Sequence, residues 1–207
     1  MNASSLARTA SVLMVPPVPA AIVCTFFVLH YEHGDLAHRV AVWSTAVAAS
    51  GGVQIAFVLW LTHRGHVGAY DVPERSQRNV PYLFSIATSL VGMIVLMLLD
   101  ASMFLWGLLW CYSVNTLILA SINRFWKISA HMMGAAGPLS ALAPITGPWL
   151  IVTAPFLVLL GWARVHLRSH NVAQVVAGTL AGVILTILQL FLVFAYGPGL
   201  ADALLYP

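Results

Sequence analysis

Charge is what this chain has least of. Asp, Glu, Lys and Arg make up only 7% of its 207 residues, whereas soluble globular domains carry about 25%. A soluble domain of this length buries only about 70% of its surface, and the remainder needs polar cover that this chain does not have. That excludes an ordinary water-soluble protein. The basic excess is small and scattered, nine Lys and Arg against six Asp and Glu for a net charge of +3, so no patch for tracking nucleic-acid phosphates is present. Cysteine is nearly missing as well. Cys24 and Cys111 lie inside apolar runs, which gives neither a disulfide framework nor a metal pair, and each reads as a small buried hydrophobe. No clean short apolar region with a cleavage site follows Arg8, so the first apolar run reads as a retained span.

What remains is apolar. Hydrophobic residues make 60% of the chain and the mean hydropathy is +0.91. Apolar runs fall near 10–29, 41–62, 81–99, 101–122, 129–146, 148–163 and 172–195. Most of them suit a hydrocarbon layer roughly 30 Å thick, with the fifth and sixth marginal. Backbone polar groups in lipid must be satisfied within the segment, and these runs are too long and too uniformly apolar for barrel strands. The expected fold is all-α: a polytopic transmembrane helix bundle of about seven spans. The count is six if the fifth run is re-entrant or the first is not a true crossing. No boundary, linker or internal repeat divides 1–207, which reads as a single transmembrane domain.

Alternating the spans puts Arg8, Arg64, Arg75, Arg78, Arg124, Lys127, Arg164 and Arg168 on one side and leaves Arg39 alone on the other. The positive-inside rule makes the rich side cytoplasmic in a cell-membrane protein. Three polar segments converge there. The longest holds Asp71, Glu74, Arg75 and Arg78 just before the third span. The second is Lys127-Ile128-Ser129-Ala130-His131, at the start of the fifth. The third runs from Arg164 to Gln174 into the last span.

Each segment has an ordinary reading and a chemical one. Ser129 can simply cap a helix, Lys127, Arg75 and Arg78 can anchor the interface, and His170 can be an interfacial histidine. Alternatively, arginine forks match phosphoryl oxygens bidentately. A helix start offers free N–H groups to an anion. His131 enters an apolar span, where ionisable groups are functional candidates by default. His170 and Gln174 are four apart and can share a helical face. The Gln oxygen can then hold one imidazole nitrogen and leave the other free to attack phosphorus.

With these residues the chain resembles the type 2 phosphatidic acid phosphatase and haloperoxidase superfamily, in its membrane lipid phosphatase branch. That family carries K-x6-R-P, P-S-G-H and S-R-x5-H-x3-D. This chain has Ile128-Ser129-Ala130-His131 for the second motif and Ala163-Arg164-x5-His170-x3-Gln174 for the third. The first survives as Arg78 within Asp71-x6-Arg78. The likeness runs over residues 71–183. It implies His170 as the nucleophile that forms a phosphohistidine and His131 as the general acid. It also implies phosphoryl binding by Arg78, Arg164, Ser129 and the amide of Ala130, with no metal and no cofactor. Lys127 and Arg75 are further candidates for the phosphate. Asp71 reverses the charge of the family's Lys, and Gln174 replaces the carboxylate that would steady a charged His170.

The implied activity is hydrolysis of a lipid phosphate or a polyprenyl diphosphate. Two other functions fit the same residues: a non-hydrolytic lipid-binding or transport protein, and a lipid phosphotransferase. Membrane lipids are the other expected partners. Gly178-x3-Gly182 marks a close helix contact, either internal or across a homodimer.

Overall fold

The structure, a computed structural model, describes residues 2–68, 72, 74–147 and 149–196. Asp71 and the tail 197–207 lie outside the described residues. The chain forms α1 (Ala3–Leu13), α2 (Pro17–Tyr31), α3 (Leu36–Val47), a π-helical turn (Ala48–Gly52) and α4 (Val53–His63). A 3-10 turn (Arg75–Arg78) leads into α5 (Asn79–Leu98). Then follow α6 (Met103–Asn123), α7 (Ala130–Ala141), α8 (Ala143–Thr146), α9 (Trp149–His166) and α10 (Val172–Tyr196). The described residues form an all-α bundle of membrane-length and shorter apolar helices.

Among the described residues, four helical stretches are long and apolar enough to cross a membrane: Leu36–His63, Arg75–Leu98, Met103–Asn123 and Val172–Ala195. The α1–α2 pair makes a fifth if it is taken as one span bent by 45°. The bend falls at Pro16 and Pro17, where two rings remove backbone donors. Against the seven expected runs, the fifth and sixth, already marginal by length, are the ones whose helices fall below this threshold. Helix α7 has 12 residues, ~18 Å at 1.5 Å per residue, and most of it is buried against other helices. Interior position, not lipid thickness, sets its length. The apolar helix Ile151–His166 is also short of membrane length.

Outer faces carry apolar stripes where a soluble protein would carry charges. On α5 they are Leu83, Val91, Ile94 and Leu98, and on α10 Leu180, Ile184, Leu188 and Phe191, all exposed. Patches this extended mark a surface that meets lipid rather than water. Inside, Phe27, Phe104, Leu105, Leu108, Leu109 and Leu190 form one cluster between α2, α6 and α10.

The helices stop in a repeated way. At the end of α5, Asp100 adopts φ 54°, its N–H donates to Met97 O, and the N–H of Ala101 reaches back to Leu96 O. This paired pattern is a Schellman cap. The same pair of bonds closes α4 at Gly65, with φ 73°, and α9 at Arg168, with φ 54°. Each leaves a tight return for the next segment.

Helices α7 and α10 run side by side in the same direction, and glycine sets their approach. A Cβ on Gly178 would meet Ser129 O at 2.6 Å, and one on Gly182 would meet Met133 O at 2.7 Å. Both contacts are with main-chain atoms, so neither neighbour can give way cheaply. The expected small-residue contact is therefore internal, between α10 and α7. A Gly182→Val substitution should cost about 1–3 kcal/mol and lower the thermal midpoint of detergent-purified protein. Leu188→Ala, on the outer face, should change stability by about 0.5 kcal/mol or less. Equal effects from the two would show that this helix contact is not tight.

Candidate phosphate site

The register of α7 and α10 brings both helix N-termini to the same end of the bundle. There the N–H of Ser129 donates to Gln174 O at 3.3 Å. Each N-terminus carries amides without intrahelical partners and partial positive charge. At α7, Ser129 is completely buried and its Oγ accepts from the N–H of Met132 at 3.4 Å, so it caps the helix. The amides of Ala130 and His131, in the first turn, have no partner within the helix.

At α10, Asn171 and Gln174 form a capping box. Asn171 Oδ1 accepts from the N–H of Gln174 at 2.9 Å, and Gln174 Oε1 accepts from the N–H of Asn171 at 3.3 Å. The same Oε1 lies 3.0 Å from His170 Nδ1. A main-chain N–H can only donate, so the atom it meets is the amide oxygen. Nδ1 of His170 therefore carries the proton and donates to it. Nε2 is left with its lone pair.

The spacing from Arg164 to His170 follows from the end of α9. Arg168 occupies the left-handed position of the Schellman cap, and the chain turns back on itself. The carbonyl of Arg164 then accepts from the N–H groups of both Ser169, at 3.1 Å, and His170, at 3.2 Å. Nucleophile candidate and guanidinium are tied through one carbonyl. The Arg164 side chain is 3% exposed and its Nη1 donates to Ser11 Oγ at 2.8 Å. Ser11 comes from α1, which packs Ala7 and Ala10 against Ala163 of α9.

Arg78 arrives from the 3-10 turn. It is 5% exposed, and its Nε donates to Val72 O at 2.8 Å. Val72 holds that carbonyl in place with φ 44°, a conformation that costs a β-branched residue of order 1–3 kcal/mol. Among the described residues, Nη1 of Arg78 and the hydroxyl of Tyr82, one helical turn on, are both buried without a well-aligned hydrogen-bond partner, although the two groups lie close enough to interact with each other. Polar groups met this loosely, one of them charged, are costly to bury, and an anionic ligand would meet both.

These pieces converge. His131 lies within electrostatic reach of Arg164, His170 and Arg78. His170 lies within reach of Arg164, Arg78 and the half-buried Lys127. Arg75 is placed differently. Its side chain is exposed, and its carbonyl accepts from Asn123 Nδ2 at 3.2 Å. Ser11, Tyr82, Asn123 and Asn171 were not among the residues expected from the sequence. Only Asn171 had a local signal, the Asn-x-x-Gln of a capping box.

His131 and Ala130 also line an apolar cavity of about 390 Å³, which runs into the bundle between α4, α5, α6 and α7. Among the described residues, no group of three or more His, Cys, Asp or Glu is placed to hold a metal ion. No family model, no curated protein and no solved structure matches this chain.

Burial holds the His170 imidazole well below its ordinary value of 6.5, at about 4, and the cations of Arg164, Arg78 and Lys127 push the same way, against the Gln174 hydrogen bond. The ring is therefore neutral at pH 7. Between pH 6.5 and about 4 the unfolded chain binds this proton and the folded chain does not, so stability is lost as pH falls through that window. The thermal midpoint of wild type should drop more steeply there than that of His170→Gln. Parallel pH profiles for the two proteins would contradict a buried neutral His170.

Proposed function

We propose that this protein hydrolyses a lipid phosphate or a polyprenyl diphosphate through a phosphohistidine at His170, without a metal ion. The observation that carries the reading is the free lone pair of His170 Nε2 within electrostatic reach of the buried Arg78, whose Nη1 has no well-aligned partner among the described residues. A phosphoryl group would satisfy that nitrogen, the Tyr82 hydroxyl and the first amides of α7 together. Arg164, steadied by Ser11, would bind a second face of the phosphate. Such preorganised donors act strongly in a site that excludes water.

In the first step Nε2 of His170 attacks phosphorus. The N–P bond forms as the P–O bond to the lipid breaks, and His131, which takes up a proton when the phosphate anion binds beside it, gives that proton to the leaving oxygen. Water then attacks the phosphohistidine. The new P–O bond forms, the N–P bond breaks, and the water proton passes to His131 as inorganic phosphate leaves. This assignment follows the likeness to the type 2 phosphatidic acid phosphatases at Ile128–His131 and at Arg164, His170 and Gln174. The positive-inside bias puts the site at the cytoplasmic face of the cell membrane.

One observation favours a second reading, a lipid-binding or transport protein that does no hydrolysis. Gln174 is neutral and already engaged as a helix cap, so it cannot stabilise an imidazolium as a carboxylate does. Purified protein in nanodiscs, offered phosphatidate and then farnesyl and undecaprenyl diphosphate, separates the two. Wild type should release phosphate and His170→Ala should fall to background. No release from any of these substrates by wild type would falsify the hydrolase reading.

Gln174→Glu is the informative gain-of-function variant. Glutamate has the length of glutamine, so it can keep the hydrogen bond to Nδ1 while adding a negative charge, which favours the charged imidazole. The expected result is a rise in kcat of about tenfold or more, with the histidine titration moved upward from about 4. An unchanged kcat together with an unmoved titration would mean that residue 174 does not act on His170.

A further inference from the structure

We infer that the cavity beside His131 is the binding site for one apolar chain of the substrate, of a length that spans a single leaflet. The inference rests on the phosphate site proposed above and extends it to the other end of the ligand.

The geometry supplies a continuous path. Ala130 and His131 belong to the phosphate cluster and also line the cavity. From there the cavity follows α7 past Gly134 and Gly137 and follows α6 inward between Leu119 and Leu108. That stretch of α6 is ~16 Å long at 1.5 Å per residue. Half of a hydrocarbon core roughly 30 Å thick is ~15 Å. A lipid held by its phosphate at the bundle end would therefore reach the cavity floor with one leaflet-length chain. A much longer polyprenyl chain would have to leave the cavity again.

The cavity has this shape because two departures from regular helix face it. Pro16 and Pro17, at the bend between α1 and α2, line one wall, and the π-helical turn contributes Ser50 and Gly51. Glycine keeps these walls close without filling the space, since a Cβ on Gly134 would strike Pro16 at 2.7 Å. At about 390 Å³ the cavity lies within the range of small-molecule sites, about 300–1,000 Å³. Its walls are largely carbon, so an apolar chain gains by leaving water or displacing loosely packed lipid. Polar atoms line it at separate points, among them Gln54 Oε1 and the hydroxyls of Tyr82 and Tyr112, while most of the exposed wall is carbon.

Photolabelling tests the site directly. Full-length protein in nanodiscs would be irradiated with a palmitoyl-length alcohol bearing a diazirine near its chain end. The labelled residues would then be mapped by peptide mass spectrometry. Labels should fall on cavity residues of α6 and α7, such as Leu108, Thr116 and Gly137. Thr116→Trp should reduce that labelling roughly tenfold, in keeping with steric exclusion from an apolar pocket. A second variant, Ser85→Phe, should do the same, and each must retain the wild-type thermal midpoint for its result to count. Labels confined to outward residues such as Leu180, Ile184 and Leu188 would overturn the inference. The probe carries no phosphate, so its result is separate from the phosphate-release assay. Labelled cavities with no phosphate release would sink the hydrolase reading alone.

Discussion

A buried guanidinium is the constraint on which the rest of this molecule depends. In a chain with so few charges, Arg78 and Arg164 are both almost wholly withdrawn from solvent. Burying a charge is expensive unless its donors are met. Much of the local architecture answers that demand. A residue in the left-handed region, Val72, turns its carbonyl to Arg78 Nε. A whole amphipathic helix, α1, brings the Ser11 hydroxyl to Arg164. Even so, one nitrogen of Arg78 is left without a well-aligned partner among the described residues. The fold holds cationic donors in place ahead of any ligand, which is the condition for strong anion binding at low reorganisation cost.

The parallel packing of α7 and α10 makes the second contribution. Two helices that start at the same end place two sets of free amides together, and their dipoles add rather than cancel. Glycine at 178 and 182 lets the main chains approach closely enough for this. The packing that stabilises the bundle is thus the same packing that assembles the site. The geometry of this candidate site and the helix contact cannot be altered independently here.

Gln174 joins the two. It completes the cap of α10 and orients the His170 ring through the same oxygen. A carboxylate could do both and add charge, whereas the amide gives orientation only. The result is an imidazole that stays neutral among cations. Neutrality is what the proposed nucleophilic role requires, whereas the lack of a counter-charge weakens support for the charged intermediate of that proposal.

The sequence alone determined the class. A composition of 7% charged and 60% hydrophobic residues leaves helices in lipid as the solution, because backbone groups there must be paired within each segment. It also pointed to His131, His170, Gln174, Arg78 and Arg164, because those residue types are rare enough in an apolar chain to stand out. It read seven apolar runs, of which four, or five with the bent α1–α2 pair, form helices of membrane length among the described residues. An apolar run reads alike whether it faces lipid or other helices, and most of α7 is buried against other helices. The tertiary structure alone decided which cations stand together. Ser11 lies 153 positions from Arg164, and no local pattern links them. Arg75 and Arg78, three residues apart, part company because one turn buries Arg78 and leaves Arg75 exposed. Local pattern governs what a residue can do, whereas contact between distant helices governs which residues do it together.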